Sequence, residues 1–274
     1  MRIRISHRAI FTYRTPAKSI IQILRLTPRS HDGQRVGSWR IDMDVDHALR
    51  MSEDAFGNIV HTTNIAGPLT QLTLSVDGEM ETFDTAGVVR GSIERFPPEL
   101  FLRSTPLTES DAAMRDFGAA ALAQGKNTLD GLHHLMGEIA DALEFDAELV
   151  GDTTTAAEAL MRKRGGACDF AHLFIACARH GGMPARFVSG YRLDPESKAA
   201  LTAGHAWAEA YVEGLGWVGF DAAHCVCPEE THVSVARGLD YQGAAPIRSA
   251  KSGGDGEEIS VEVRLSQQQD QRQS

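Results

Sequence analysis

The sequence predicts an α+β chain: an all-β N-terminal domain, then a domain in which a cysteine-bearing helix packs on an antiparallel sheet. Three observations carry this. Residues 1 to 86 contain repeated short runs in which apolar and polar side chains alternate. Apolar residues between 110 and 143 recur at three- and four-residue spacing, the mark of amphipathic helices. Beyond residue 166 a helical pattern is followed by three strand patterns, the last two joined by a glycine-containing turn.

In order along the chain, Ile3 and Ile5, then Phe11 and Tyr13, alternate with polar neighbours as in half-buried strands. Ile21 to Leu26 runs into the breaker Thr27-Pro28-Arg29-Ser30, and Trp39 to Val45 is the cleanest period-two run. A turn at Ala55-Phe56-Gly57-Asn58 precedes Ile59-Val60-His61, and Leu72, Leu74 and Val76 alternate with Thr73 and Ser75 before Asp77-Gly78. Short strands separated by polar turns predict a small β-sandwich or barrel. Residues 87–106 read as a connection, because Pro97-Pro98 fits neither a helix interior nor a central strand. Ser110-Asp111 caps a helix carrying Met114, Phe117 and Leu122, and Leu129, Leu132, Met136, Ile139 and Leu143 form one face of the next. A short helix from Ala156 to Lys163 is broken by Arg164-Gly165-Gly166-Ala167. A new helix starts at Cys168, with Ala171, Phe174, Ile175 and Ala178 on one side, and ends at Gly181-Gly182. Strands follow at Ala185–Tyr191, His205–Val212 and Trp217–Asp221. The expected layout is therefore a β-rich domain over 1–86, a connection over 87–106, a catalytic domain over 107–263 and a Gln-rich disordered tail over 264–274.

Composition narrows the function. Thirty-seven acidic against 27 basic side chains give a formal net charge of −10, with no Lys/Arg block to neutralise phosphates, so nucleic acid is not expected as a partner. No stretch reaches the roughly 20 apolar residues of a membrane span, and Met1 to His7 alternates like a strand rather than forming the apolar run of a signal peptide. The reading is a cytoplasmic protein with no membrane partner, in which Cys168, Cys177, Cys225 and Cys227 stay reduced.

Cys168 follows two glycines and occupies the first turn of a helix, where unpaired N–H groups and the helix dipole stabilise a thiolate. Gly166 leaves room for a substrate backbone, and the same helix end offers donors to an oxyanion. Cys177, nine residues on, fits an inert core thiol. A cysteine nucleophile needs a base and a group that orients it. His205 opens one strand and Asp221 ends the next, so a hairpin brings them together; the carboxylate then fixes the imidazole tautomer and leaves the other nitrogen for the thiol. Trp207, on the strand face of His205, is a candidate wall of the substrate cleft.

Four blocks resemble the transglutaminase-like core: Gly166-Ala167-Cys168-Asp169-Phe170-Ala171, Gly182 to Tyr191, His205-Ala206-Trp207-Ala208-Glu209 and Gly216 to Asp221. Leu24-Arg25-Leu26-Thr27-Pro28, Gly33-Gln34-Arg35, Asp54-Ala55-Phe56-Gly57-Asn58 and Glu81-Thr82 are similar to the β-rich domain that precedes this core in bacterial members. The resemblance implies a papain-like fold and a triad of Cys168, His205 and Asp221. It also implies acyl-enzyme chemistry on amides of a protein or peptide, with water or an amine as second nucleophile. Hydrolysis is the default; glutamine-to-amine transfer and a non-catalytic binding module are the alternatives. After Asp221 the family's Pro-Thr is replaced by Ala222-Ala223-His224, and its Gly-Arg-Asp-Tyr appears as Gly238-Leu239-Asp240-Tyr241.

No cofactor is expected. His224, Cys225, Cys227 and His232 are residue types that bind zinc, but C-x-C is not the usual ligand spacing and no second cysteine pair completes a site, so the reading is no metal. No acidic calcium loop is present either. Arg186 is assigned a structural role, paired with a buried carboxylate such as Glu209.

Overall fold

The computed structural model describes residues 1–149, 154–194, 201 and 203–268. The N-terminal domain is built on two very long strands, β1 (Arg2–Thr27) and β4 (Ile59–Thr82), with β2 (Gln34–Met43) and β3 (Arg50–Glu53) between them in sequence. The short runs Ile3 to Tyr13 and Ile21 to Leu26 are thus pieces of β1, and Ile59 to His61 and Leu72 to Val76 are pieces of β4. Along β1 the buried positions are odd from Ile3 to Ala17 and even from Ile20 to Leu26. The phase reverses at a register shift between Ala17 and Ser19, where β1 carries one residue more than its neighbour β12 and turns over. Gly67 of β4 lies against this corner; a Cβ there would meet the Ala17 carbonyl oxygen at 2.0 Å, so only glycine lets the two backbones cross.

The second part starts with β5 (Val88–Val89), then α1 (Ala112–Leu122), α2 (Thr128–Ala142), β6 (Glu144–Phe145), α3 (Ala156–Arg162), β7 (Arg164–Gly165) and α4 (Ala167–His180). It continues with β8 (Ala185–Arg192), β9 (His205–Val212), β10 (Gly216–Phe220), β11 (His232–Gly238) and α5 (Tyr241–Ala244). The antiparallel sheet has the order β11-β8-β9-β10-β5. Helix α4 packs on β8 and β9, while α1, α2 and α3 close over its other sides, so every residue from Asp169 to Arg179 is buried. A helix enclosed this way keeps the start of its first turn fixed against the sheet. Among the described residues, no helix is long and apolar enough to cross a membrane.

The chain then returns to the first domain. Strands β12 (Ile247–Gly253) and β13 (Glu257–Gln267) both pair with β1. This corrects two expectations: 247–263 belongs with the N-terminal sheet, and the tail expected to be disordered from residue 264 continues as strand to Gln267. Alternating Ile259, Val261, Val263 and Leu265 match the pleat of β1, a pattern masked by the polar residues between them. Residues 269–274 of that expected tail lie outside the described residues. With β12 and β13 in place the domain is a sandwich made from one folded sheet. One layer is β13, the first half of β1, the second half of β4 and β2; the other is β12 and β3 flanking the remaining halves. Phe11, Leu72, Leu74 and Val76 from one layer meet Ile20, Leu24 and Ile65 from the other.

The sandwich docks on β11, the edge strand of the second part's sheet. Asn58 Nδ2 donates to the Arg237 carbonyl at 2.7 Å and Arg237 N donates back to Asn58 Oδ1 at 2.8 Å. Gln34 makes the same reciprocal pair with Ser234, both bonds 2.8 Å. Two buried side-chain amides thus take the place of a neighbouring strand and satisfy an edge that would otherwise be open. Asp54 holds Asn58 in position, accepting from its backbone N and from Nδ2. The Asp54-Ala55-Phe56-Gly57-Asn58 motif is therefore a latch between the two parts of the molecule.

Candidate active site

Gly166 is the extended N-cap of α4, and its backbone N–H donates to Asp169 Oδ2 at 2.9 Å. A Cβ on Gly166 would meet the Leu149 carbonyl oxygen at 2.0 Å. The missing side chain therefore has a packing reason: it lets the two backbones approach. Cys168 is the second residue of the helix and half-buried. It lines a cleft of about 410 Å³ together with His205, His224, Arg192, Phe145 and Leu149. Cys177 points into the core, 3.7 Å from the Met114 carbonyl oxygen, and burial pushes its thiol up to about 12. The two thiols of α4 differ in the way their positions on the helix require.

His205 opens β9, and its Nε2 lies 2.7 Å from Oδ2 of Asp221, which follows the last residue of β10. Asp221 is wholly buried. Burial alone would raise its carboxyl, but the charge of His205 and three imidazole hydrogen bonds together hold it well below the usual carboxylate range. An ionised carboxylate only accepts, so His205 donates through Nε2, and in the neutral ring Nδ1 carries the lone pair.

Sequence reasoning missed the other two donors. His224 Nδ1 and His232 Nε2 approach the same Oδ2 at 3.1 and 3.2 Å, while Oδ1 has no partner among the described residues. His232 is buried on β11, and its Nδ1 accepts from the Glu229 backbone N–H at 3.3 Å. Thr231 Oγ1 lies 3.1 Å from the same Nδ1, and ionised Asp221, which only accepts, calls for a proton on Nε2. Burial keeps this imidazole below its usual value against the pull of Asp221. His224 is 25% exposed, its ring 5.0 Å from that of His205 and 5.2 Å from Phe145. The available signal was three histidines within 28 residues around one strand-end aspartate; zinc spacing rules grouped them with cysteines instead.

The residues weighed for zinc do not share one point. Cys225 is exposed, Cys227 Sγ lies 3.5 Å from His133 Nε2, and His224 and His232 turn to Asp221. His205, Asp221 and His232 do place ligand atoms within 4.8 Å of one another. With Nδ1 of His232 already accepting, however, its Nε2 offers a proton and not a lone pair, so the cluster is built as donors around an anion.

Trp207 is 3% exposed and lies outside the cleft lining; its ring stands edge-on to His232 at 5.4 Å. It backs the imidazole cluster beside His232 and is not among the residues lining the Cys168 cleft, where the sequence reading places it. Arg186 and Glu209 pair as the sequence suggested, at 2.6 Å and almost wholly buried. Two partners were not foreseen. Glu94 of the connection binds Arg186 through both oxygens at 2.6 and 3.0 Å, and Arg237 Nε reaches Glu209 at 3.2 Å. The Arg186 guanidinium also lies 4.0 Å from the centre of the Trp217 ring.

Residues 3–81 match the bacterial transglutaminase-like N-terminal region, and residues 115–222 match the transglutaminase-like superfamily. An uncharacterised protein of Mycobacterium leprae is 27% identical, covering 96% of this chain and 98% of its own. One from Mycobacterium tuberculosis is also 27% identical, covering 90% of this chain and 86% of its own. A solved structure described as a candidate cysteine protease from Cytophaga hutchinsonii superimposes with a TM-score of 0.76 at 18% identity, covering 98% of this chain and 92% of that one. That likeness establishes the fold.

Proposed function

The chain belongs to the transglutaminase-like superfamily, with the β-rich region of its bacterial members in front of the core, and from that premise we propose that it is a thiol amidohydrolase acting on a protein or peptide. The observation that carries the reading is one cleft holding Cys168 at a helix start beside His205, whose far nitrogen rests on buried Asp221. His205 Nδ1 takes the thiol proton. The thiolate attacks the amide carbonyl, forming a C–S bond, and backbone N–H groups of the first turn of α4 stabilise the oxyanion. As the C–N bond breaks, His205 returns the proton to the leaving amine. Water then attacks the thioester, releasing a carboxylic acid and restoring the thiol.

The test is the pH dependence of iodoacetamide labelling, read by mass spectrometry so that Cys168 is separated from exposed Cys225. Fast labelling of Cys168 well below the ordinary thiol value of about 8.5, lost in His205→Ala, is the expected result. Labelling confined to high pH and indifferent to His205 would overturn the enzyme reading in favour of a binding module.

A further inference from the structure

Resting on that reading, we propose that Asp221 orients two bases and that His224 is a second catalytic imidazole, taking the proton of the water that releases the acyl group from Cys168. With Nδ1 of His224 donating to Asp221 at 3.1 Å, its lone pair is on Nε2. Among the described residues lining the cleft, His205 and His224 are the two imidazoles, and each is held at one nitrogen by the same carboxylate oxygen. His205 carries the thiol proton to the leaving amine in the first half of the reaction, and His224 adds a second basic nitrogen to the cleft for the second half. His224 stands beside His205, ring centres 5.0 Å apart, with Phe145 against its other side.

The backbone that presents His224 is tightly closed. Asp221 N donates to the Val226 carbonyl at 2.9 Å, Val226 N donates back at 3.2 Å, and His224 N donates to the Asp221 carbonyl at 3.3 Å. A base held at this many points is placed by the fold and not by chance. Its position lies beyond the stretch 115–222 that matches the superfamily, in the loop where Ala222-Ala223-His224 stands.

The step balances. Water oxygen bonds to the thioester carbon while one water proton passes to His224 Nε2, and the Nδ1–H bond to Asp221 stabilises the cation formed. Collapse of the tetrahedral intermediate breaks the C–S bond. The electron pair returns to Cys168, and the proton on His224 passes to solvent.

The experiment uses p-nitrophenyl acetate as acyl donor, comparing the burst of p-nitrophenolate with steady-state turnover in the full chain. His224→Asn keeps an N–H donor for Asp221 and lacks a basic nitrogen, so it separates positioning from proton transfer. The expected result is a burst and Cys168 labelling within about threefold of wild type, turnover lower by about a hundredfold, and acylated Cys168 accumulating by mass spectrometry. Wild-type turnover in His224→Asn, or burst and turnover falling together, would overturn the role given to His224. A wild-type protein with neither burst nor activated Cys168 would instead overturn the thiol-enzyme reading and the second base with it.

Discussion

Two carboxylates on adjoining strands are buried almost completely, Glu209 within β9 and Asp221 at the end of β10, and they are partnered in opposite ways. Glu209 meets permanent cations: Arg186 at 2.6 Å and Arg237 at 3.2 Å, with Glu94 and the Trp217 ring completing the surroundings of Arg186. Asp221 meets three imidazoles, all on one oxygen, and two of those rings open onto the Cys168 cleft. Guanidinium groups stay charged at any ordinary pH, so the Glu209 cluster cannot exchange protons and can only hold elements together. It ties the connection, β8, β9 and β11 into one block. Imidazoles exchange protons near neutrality, so the Asp221 cluster can take part in chemistry. What distinguishes machinery from scaffold here is the titratability of the partners, not burial.

The largest expected effect comes from exchanging insults between the clusters. Arg186→Met leaves Glu94 and Glu209 without their shared cation and should destabilise the protein by about 3–5 kcal/mol, measured by urea denaturation. Asp221→Asn should lower stability much less but reduce turnover by about 10⁴-fold, because the amide no longer enforces the His205 tautomer. A stable Arg186→Met protein, or an active Asp221→Asn protein, would erase the distinction.

The same contrast explains what could be read in advance. The positions of Cys168, His205 and Asp221 were legible because each sits at an element boundary set by local signals: glycines before Cys168, a strand start at His205, a strand end at Asp221. The Arg186–Glu209 pair was legible from facing positions on neighbouring strands, which the register pairs directly. Glu94 was not, since it lies 92 residues from Arg186 in a segment without periodicity. His224 and His232 were visible as residues, but their orientation depends on the closed turn after Asp221 and on the Glu229 N–H, neither of which leaves a pattern. In the first domain alternation located the strands, while the corner at Ala17 disguised one strand as several. The return of β12 and β13 was hidden because pairing across some 250 residues has no local signature.

Acid should act first on imidazoles outside the Asp221 cluster. Burial pushes His7 and His172 down to about 4, and burial with the nearby Arg237 does the same to His31. The unfolded chain binds protons at these sites from about pH 6.5 downwards, and the folded chain does not until about pH 4. Stability is therefore full above pH 6.5 and falls as pH drops toward 4, by about 2 kcal/mol per group between pH 7 and 5. Asp221, held below the usual carboxylate range, keeps its contribution through this window and loses it only at lower pH. His172→Gln can still accept the Tyr241 N–H bond that His172 Nε2 receives at 3.0 Å, yet has no proton to gain. It should recover about 2 kcal/mol of the loss between pH 7 and 5. An unchanged pH dependence would remove His172 from the account.

The smallest effect sharpens the comparison within the Asp221 cluster itself. His232 offers one N–H, fixed in place by the Glu229 amide, and does not line the cleft, so it acts on Asp221 as a neutral positioning donor. A hydrogen bond to a charged group contributes about 1.5–3 kcal/mol, and only part of that should reach the reaction through the aim of Asp221. His232→Leu removes the donor and should slow turnover by about tenfold, whereas His232→Gln, whose amide can still donate, should stay within about threefold of wild type. Stability cannot separate the two readings, because both replacements disturb the same buried site. The ratio of their turnover numbers can: equal losses would make His232 a packing residue like Trp207 behind it, and a gap between them would show that Asp221 is aimed by a proton on His232.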